Sequence, residues 1–282
     1  MRVTVLGSGT PEPNPRRASS GYLVETGGQK LLFDCGGGVV GRLLEVEVRP
    51  ADIDILFLTH LHSDHMMDYA RLVHAAWDTG APPLRVYGPA PIAQISDRLL
   101  GPDGAFAWDL LARTGSEPSQ QVRQARGGHL PRPWPKPDIT EITPGFALNG
   151  DGWRLSSCEV PHAQPFLDCL AFRLDTDAGS FVYSGDAGPS ADMEALSAGA
   201  DLLIHWCYRG DGESISPGLD AKSPTPSQIA EMAARAGVKL LALTHIRERM
   251  DEDAPRQRAL DALANTFPGE AVIAEDLDVF DI

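Results

Sequence analysis

Short apolar runs, separated by glycine, proline and charged residues, recur along the chain and predict an α/β protein with many short strands. Residues 2–6 predict the first strand. Two strand-like runs at 21–26 and 30–34 follow, joined by a pair of glycines that is typical of a tight hairpin. The apolar run 53–58 predicts a buried strand, because it is too short for a helix and β-branched at its start.

Helical patterns follow the early strands. Residues 39–46 predict a short helix and 90–100 another. The segment 66–78 has helical composition, and its apolar positions fall at three- and four-residue steps on one face. His74 lies within this helix, and we interpret it as an ordinary helical residue.

The strand pattern resumes after residue 140, with runs at 141–143, 153–160, 170–174, 180–184, 202–204, 240–244 and 271–274. A helix between the strands at 202–204 and 240–244 has Thr225 as its cap, Pro226 at its first position and Gly237 at its end. A last helix is predicted at 255–266. Both halves contain strands followed by strand-to-helix units, so we predict a single domain over 1–282 made of two similar halves.

Residues 102–140 are the least regular part and are predicted to be an insertion. Helices are expected near 105–113 and 118–125. Four alternate prolines then flank Trp134 and block both helix and central strand, which predicts an extended, semi-rigid loop. Such a loop serves either as a lid or pocket wall, with His129 and Trp134 near a substrate, or as a surface excursion.

Several of the predicted strands end on a residue type that binds metals. These residues are His60, His162, Asp186 and His245. Because functional sites of layered α/β proteins form beyond the carboxyl ends of strands, we expect the four side chains to meet. His205 also ends a strand, either as an acid or oxyanion donor or as a buried histidine that fixes a loop.

The segment from His60 to His65 adds three more candidates, His62, Asp64 and His65. On an extended chain the alternation of His60, His62 and Asp64 places their side chains on one side. A solvated polar loop is the alternative, but imidazole and carboxylate are ligands that zinc prefers. Seven ligands exceed one tetrahedral ion, so we predict two divalent metals bridged by Asp186, with Zn²⁺ first and Mn²⁺ or Fe²⁺ as alternatives.

The composition is acidic, with a formal net charge of −15 over 282 residues. This charge argues against a nucleic-acid partner. The alternative is that the acidity only aids solubility and that a local basic groove exists despite it. Four scattered cysteines indicate reduced thiols. With neither a leader pattern nor an apolar run of membrane length, a cytoplasmic protein with no membrane partner is expected, and a homodimer is compatible with the sequence.

The pattern His60-x-His62-x-Asp64-His65, with His162, Asp186 and His245 at wide intervals, resembles the metallo-β-lactamase fold superfamily of binuclear hydrolases. The segments 6–20 and 200–205 are most similar to its ribonuclease Z and arylsulfatase branch. The resemblance implies a four-layer αββα sandwich. It also implies that one metal is held by His60, His62, His162 and Asp186, and the other by Asp64, His65, Asp186 and His245.

The chain departs from ribonuclease Z at two places. Trp206 replaces the glutamate that follows the His205 position, and Ser223-Pro224-Thr225 stands where that family has a His-Ser-Thr motif. A long basic arm is also not evident. These departures argue against processing of transfer RNA.

We therefore predict a binuclear metal-dependent hydrolase in which a metal-bridging hydroxide attacks a small-molecule ester-type bond: phosphodiester, sulfate ester, lactone or carboxylic ester. Asp64 and His205 are the predicted catalytic residues, and Trp134 and Trp206 the predicted substrate contacts. A ribonuclease Z-like endonuclease acting on RNA is the alternative. Iron-dependent redox members usually replace a cluster histidine by glutamate, and this cluster is intact.

Overall fold

The computed structural model describes residues 1–282. The first half contributes one sheet and its covering helices. Its strands are β1 (Arg2–Gly7), β2 (Gly21–Thr26), β3 (Gln29–Phe33), β4 (Ile55–Phe57), β5 (Arg85–Gly88) and β6 (Asp138–Glu141). Its helices are α1 (Val39–Glu45), α2 (Ser63–Met66), α3 (Tyr69–Thr79), α4 (Ile92–Leu100), α5 (Ala107–Gly115) and α6 (Glu117–Ala125).

The second half contributes the other sheet. Its strands are β7 (Ala147–Asn149), β8 (Trp153–Glu159), β9 (Leu170–Thr176), β10 (Ser180–Tyr183), β11 (Leu202–Trp206), β12 (Leu240–Thr244) and β13 (Glu270–Ile273), and β14 (Val279–Asp281) returns to the first sheet. Its helices are α7 (Ala191–Leu196), α8 (Pro217–Asp220), α9 (Pro226–Ala236) and α10 (Asp253–Thr266).

The two seven-stranded sheets have matching topology. The first runs β14-β1-β2-β3-β4-β5-β6 and the second β7-β8-β9-β10-β11-β12-β13. In each, three antiparallel pairings are followed by three parallel ones. The prediction of two similar halves in an αββα sandwich is confirmed.

Alternation along the strands sorts side chains into three layers. In β4, Ile55 and Phe57 face the second sheet, whereas Leu56 packs under the helices of the first half. In β11, Ile204 faces the first sheet and Leu203 packs under the helices of the second half. Both faces of these central strands are covered, so the side chains on either face are apolar. Each strand is therefore a continuous apolar run in the sequence. None of the helices combines the length and apolar character needed to cross a lipid bilayer.

The segment 102–140 carries α5, α6 and an irregular stretch that leads into β6. Both helices lie close to their predicted positions. Trp134 packs against the core of the first half, and its indole N–H donates to the Leu100 carbonyl. The strand predicted at 141–143 begins and ends earlier in the structure. It is β6 at Asp138–Glu141, directly after the last of the four prolines, and it pairs with β5.

Candidate metal centre

Five chain segments deliver ligand-type side chains to one edge of the sandwich. His60 and His62 follow β4, and Asp64 and His65 lie in the single turn of α2. The remaining three come from the second half, His162 after β8, Asp186 after β10 and His245 after β12. The predicted meeting of strand ends is therefore observed. One detail was wrong: Asp64 lies in a helical turn and does not continue an extended chain from His60 and His62.

One group of ligand-type atoms comprises His60, His62, His162 and Asp186, all within 4.8 Å of one another. Nδ1 of His62 lies 3.0 Å from Nε2 of His60 and 3.2 Å from Nε2 of His162. Two nitrogens each bonded to a tetrahedral zinc at ~2.1 Å are about 3.4 Å apart. Three converging imidazole nitrogens at this spacing are a donor set suited to a divalent cation.

The second group comprises Asp64, His65 and His245. Nε2 of His245 lies 3.0 Å from Oδ2 of Asp64. Asp186 faces this group as well, with its Oδ1 3.3 Å from Nε2 of His65 and its Oδ2 3.4 Å from Nε2 of His245. Asp186 thus lies between the two groups, as a bridging carboxylate would.

Nε2 of His65 and Oδ1 of Asp186 are buried and 3.3 Å apart, but they do not have hydrogen-bond geometry with each other, and neither atom has another hydrogen-bond partner. Buried polar atoms are seldom left unpaired, and each such case needs a physical explanation. A cation between the two groups would satisfy both atoms. The residues present therefore fit a pair of divalent metal ions.

Asp34 is a functional residue that the sequence reasoning missed. It is fully buried directly after β3, and its carboxylate accepts from the Thr59 backbone N–H at 2.8 Å and from the Tyr183 hydroxyl at 2.8 Å. Its Oδ2 is also 2.7 Å from Nδ1 of His65. A proton on Nδ1 leaves Nε2 of His65 free for a metal. The position of Asp34 at the end of an apolar strand was the available signal.

Backbone geometry supports these positions. Gly185 precedes Asp186 with φ +53, and a Cβ there would lie 2.8 Å from the Leu170 carbonyl oxygen, so only glycine fits. Asp34 and His245 adopt φ of 58 and 62, a left-handed conformation that is uncommon for residues other than glycine. Such outliers gather at functional sites, where the surrounding structure holds them.

Burial and mutual charge shift the ionisation of the site. Burial lowers the pKa of His162 to about 4 and also lowers the pKa of His60 and His62, so these imidazoles are neutral at pH 7. Burial opposes ionisation of Asp186, but the nearby His245 and His65 hold its pKa well below the ordinary value. Neutral His60, His62 and His162 beside an ionised Asp186 are in the states that bind metal.

The other predicted site residues separate into near and distant ones. Trp206 lies at the centre, with its ring 5.3 Å from that of His162 and its indole N–H donating to His245. His205 points to the opposite face of β11, is 2% exposed and bonds the Trp206 carbonyl. Trp134 and His129 lie on the 102–140 segment and are not among the residues of the two groups.

Comparison with known proteins places these features in a family context. Residues 14–245 match the protein-family profile described as the metallo-beta-lactamase superfamily. The chain is 33% identical over 287 aligned positions to a protein named ribonuclease Z from Mycobacterium sp. (strain KMS), covering 98% of this chain and 94% of the relative. A ribonuclease Z from Mycobacterium avium is 34% identical over 98% of this chain and 96% of the relative.

Solved structures share the fold. The metallo-beta-lactamase fold protein YhfI from Bacillus subtilis superposes with a TM-score of 0.76 at 23% identity, covering 99% of each chain. The short form of human tRNase Z superposes with a TM-score of 0.71 at 22% identity, covering 100% of this chain and 99% of that one.

The relatives named ribonuclease Z contradict the expectation of a small-molecule substrate and of no nucleic-acid partner. The reason is physical: a net charge of −15 describes the whole chain, whereas nucleic-acid contacts depend on local clusters. A local cluster of positive charge does exist in this acidic chain: one cavity is lined by Arg113, Arg123, Arg126 and Arg132. The acidic total concealed it.

Proposed function

The chain belongs to the metallo-beta-lactamase superfamily, and we propose that within it the protein is a two-metal phosphodiesterase that cleaves RNA. Its membership of this superfamily and its similarity to ribonucleases Z indicate a metal-dependent hydrolase. The observation that carries the proposal is the convergence of seven ligand-type side chains into two groups that share Asp186, in a chain one-third identical over nearly its whole length to ribonucleases Z.

One metal would be held by His60, His62, His162 and Asp186, and the other by Asp64, His65, His245 and Asp186. When bound, the ions supply Lewis acidity and lower the pKa of water. Zinc is the proposed metal, because imidazole-rich sets with one or two carboxylates suit it. Manganese and iron are the alternatives for the loading experiment.

The chain's own residues have distinct tasks. Asp186 keeps the two groups at a fixed separation, and Asp34 holds the ring of His65 through Nδ1. Burial opposes ionisation of Asp64, but its hydrogen bond with His245 keeps its pKa below the ordinary value. Asp64 is therefore ionised at neutral pH and can orient an attacking water toward phosphorus. As the water oxygen bonds to phosphorus it gives up a proton, the opposite P–O bond breaks, and the leaving oxygen takes up a proton, so that one water is divided between the two products.

Two further residues complete the proposal. Trp206 is 2% exposed, packs edge-on beside His162 and donates its indole N–H to His245, so it would hold these side chains in place and not contact the nucleotide as the sequence predicted. His205 hydrogen-bonds the Trp206 carbonyl from the far face of β11, so it would act as a positioning residue and not as the acid predicted from sequence. Trp134 lies against the core of the first half and has no proposed contact with the cleaved bond.

The test uses purified full-length protein loaded with zinc, manganese or iron and an end-labelled RNA. We expect cleavage, two metal ions per chain, and loss of more than about 100-fold in rate for His60→Ala and Asp186→Asn, since even outer-shell changes cost 10- to 100-fold. His74→Ala removes a histidine on α3 outside both groups and should cleave normally. The proposal fails if the protein holds no transition metal or if His60→Ala cleaves RNA at the wild-type rate.

A further inference from the structure

A cationic cavity lies between the C-terminal end of α3 and the α5–α6 pair. Its volume is about 480 Å³, and four arginines line it: Arg113, Arg123, Arg126 and Arg132. His129 and the glycines of the turn after α6 complete one wall. These arginines are a sixth of the 24 lysines and arginines in an otherwise acidic chain. Such a concentration marks the cavity as a local site of positive potential.

The cavity's positive charge is only partly compensated. Asp78 is the one acidic residue of the lining, and it lies 2.8 Å from Arg132, 3.3 Å from Arg126 and 3.7 Å from Arg113. Arg113 has a second partner in Asp109 at 2.9 Å. Arg123 has no carboxylate within 4.0 Å. One carboxylate in the lining therefore faces three guanidinium groups, and a fourth stands without any.

Two of the guanidinium groups also have donors to spare. The Nε atoms of Arg123 and Arg132 are buried and have no hydrogen-bond partner. Arg132 is 8% exposed, and its guanidinium lies 3.5 Å from the centre of the Trp77 ring, which holds it in place. Buried N–H groups need acceptors, and the planar guanidinium fork matches the oxygens of a phosphate. The lining thus offers a pre-organised set of donors for a phosphate group.

Helix α3 links this cavity to the metal centre. Its first residue, Tyr69, is four residues beyond His65, and its last turn contributes Asp78 and Thr79 to the cavity. An eleven-residue helix is about 16 Å long. A polymer with regularly spaced phosphates can therefore reach both places, whereas a single mononucleotide is too short.

We propose that the arginine-lined cavity binds backbone phosphates of the RNA substrate at a distance from the cleaved bond. The proposal rests on the proposed function for the identity of the polymer. It assigns to the α5–α6 pair the role of a substrate-holding element. Two or more phosphate contacts here would also make RNA affinity depend strongly on salt, because each contact releases counterions.

The experiment measures the affinity of full-length, metal-loaded protein for a fluorescent RNA with a non-cleavable backbone, by anisotropy at several salt concentrations. Arg123→Ala together with Arg126→Ala should weaken binding by about tenfold or more and reduce the salt slope by about two, one for each lost contact. Arg154→Ala removes the same kind of charge from an exposed position on β8 and should change the affinity less than twofold. Arg123→Lys keeps the charge and should give an intermediate value.

Equal affinities for the double variant, the wild type and Arg154→Ala would overturn the proposal. It would also be overturned if inorganic phosphate displaced the fluorescent RNA as well as unlabelled RNA does at the same total concentration of phosphate groups. Circular dichroism of each variant verifies folding, and Arg123→Lys gives a second reading if the double variant unfolds. Hydrolysis of a small aryl phosphodiester by the wild type reports the metal centre separately. Its absence would count against the proposed function, while the affinity measurement would still decide the role of the cavity.

Discussion

The indole nitrogen of Trp206 lies 3.1 Å from Nδ1 of His245, on the side of the imidazole opposite to the nitrogen that faces Asp64. An indole N–H can only donate, so Nδ1 accepts in this arrangement. A neutral imidazole that binds metal through Nε2 carries its proton on Nδ1. Two N–H groups would then face each other, so this hydrogen bond and metal binding at His245 oppose one another.

Metal loading should therefore change the environment of Trp206. We expect a shift in intrinsic fluorescence when metal is added to chelator-treated protein, and we expect Trp206→Phe to abolish most of it. Trp108→Phe removes an indole that is 85% exposed on α5 and should leave the shift in place. A full-sized shift in Trp206→Phe would show that the signal comes from another tryptophan, and it would contradict the prediction.

Asp34→Ala should weaken metal binding by about 10- to 100-fold, because the carboxylate that holds the ring of His65 is lost. Competition with a chromophoric chelator measures the affinity. Asp54→Ala removes a carboxylate that bonds the Lys30 backbone N–H away from the site, and it should bind metal normally. Tyr183→Phe deletes one donor to Asp34 and should have a smaller effect. Unchanged affinity in Asp34→Ala would remove Asp34 from the site.

His205 gives a prediction about pH. Burial lowers its pKa from 6.5 to about 4. Between these values the unfolded chain binds a proton that the folded chain does not, so the metal-free protein should lose stability as the pH falls from about 6.5 to 4, by about 3 kcal/mol from this residue. In urea unfolding series, His205→Gln should show a smaller decline than the wild type. Parallel pH profiles would contradict a buried neutral imidazole.

The buried ion pair between Arg17 and Asp251 should matter far more than the exposed pair between Arg2 and Asp281. Both are two-pronged, but Arg17 and Asp251 are each 3% exposed in their side chains, against 54% and 66% for Arg2 and Asp281. We expect Asp251→Asn to cost about 3–5 kcal/mol in free energy of unfolding. Asp281→Asn should cost less than about 1 kcal/mol.

The same pair has a pH signature. Burial opposes ionisation of Asp251, but its hydrogen bonds with Arg17 hold its pKa below 3.8. Its contribution is therefore complete above about pH 4 and is lost as the pH falls through the folded-state pKa. The difference in unfolding free energy between wild type and Asp251→Asn should shrink under strongly acidic conditions. A constant difference would mean that the variant acts through packing and not through charge.

The metal centre could be predicted from sequence because each ligand stands at a boundary that local patterns mark. The apolar runs before His60, Asp186 and His245 are short and uninterrupted, so their ends could be located. Asp34 ends β3 in the same way. Its role could not be predicted, because its partners Thr59 and Tyr183 are distant in sequence and meet Asp34 only when the two sheets pack together.

Other features depended on tertiary context from the start. The helical turn of α2 brings Asp64 and His65 to the metal centre, whereas the alternation of His60, His62 and Asp64 in the sequence had favoured an extended chain. The return of β14 to β1 pairs residues almost a whole chain apart, such as Arg2 and Asp281, and no local pattern indicates it. The side on which His205 lies follows from the extent of β11, which includes both His205 and Trp206. Successive side chains of a strand lie on opposite faces, so Trp206 faces the metal centre and His205 faces the other way.

The division of ligands between the halves has a kinetic consequence. The first half provides His60, His62, Asp64 and His65, and the second provides His162, Asp186 and His245, so bound ions would join loops from opposite sheets across a hundred or more residues of chain. The sheets could then separate only after metal–ligand bonds break. Metal occupancy should therefore act mainly on the rate of unfolding, prolonging the life of the folded enzyme more than its equilibrium stability alone would indicate.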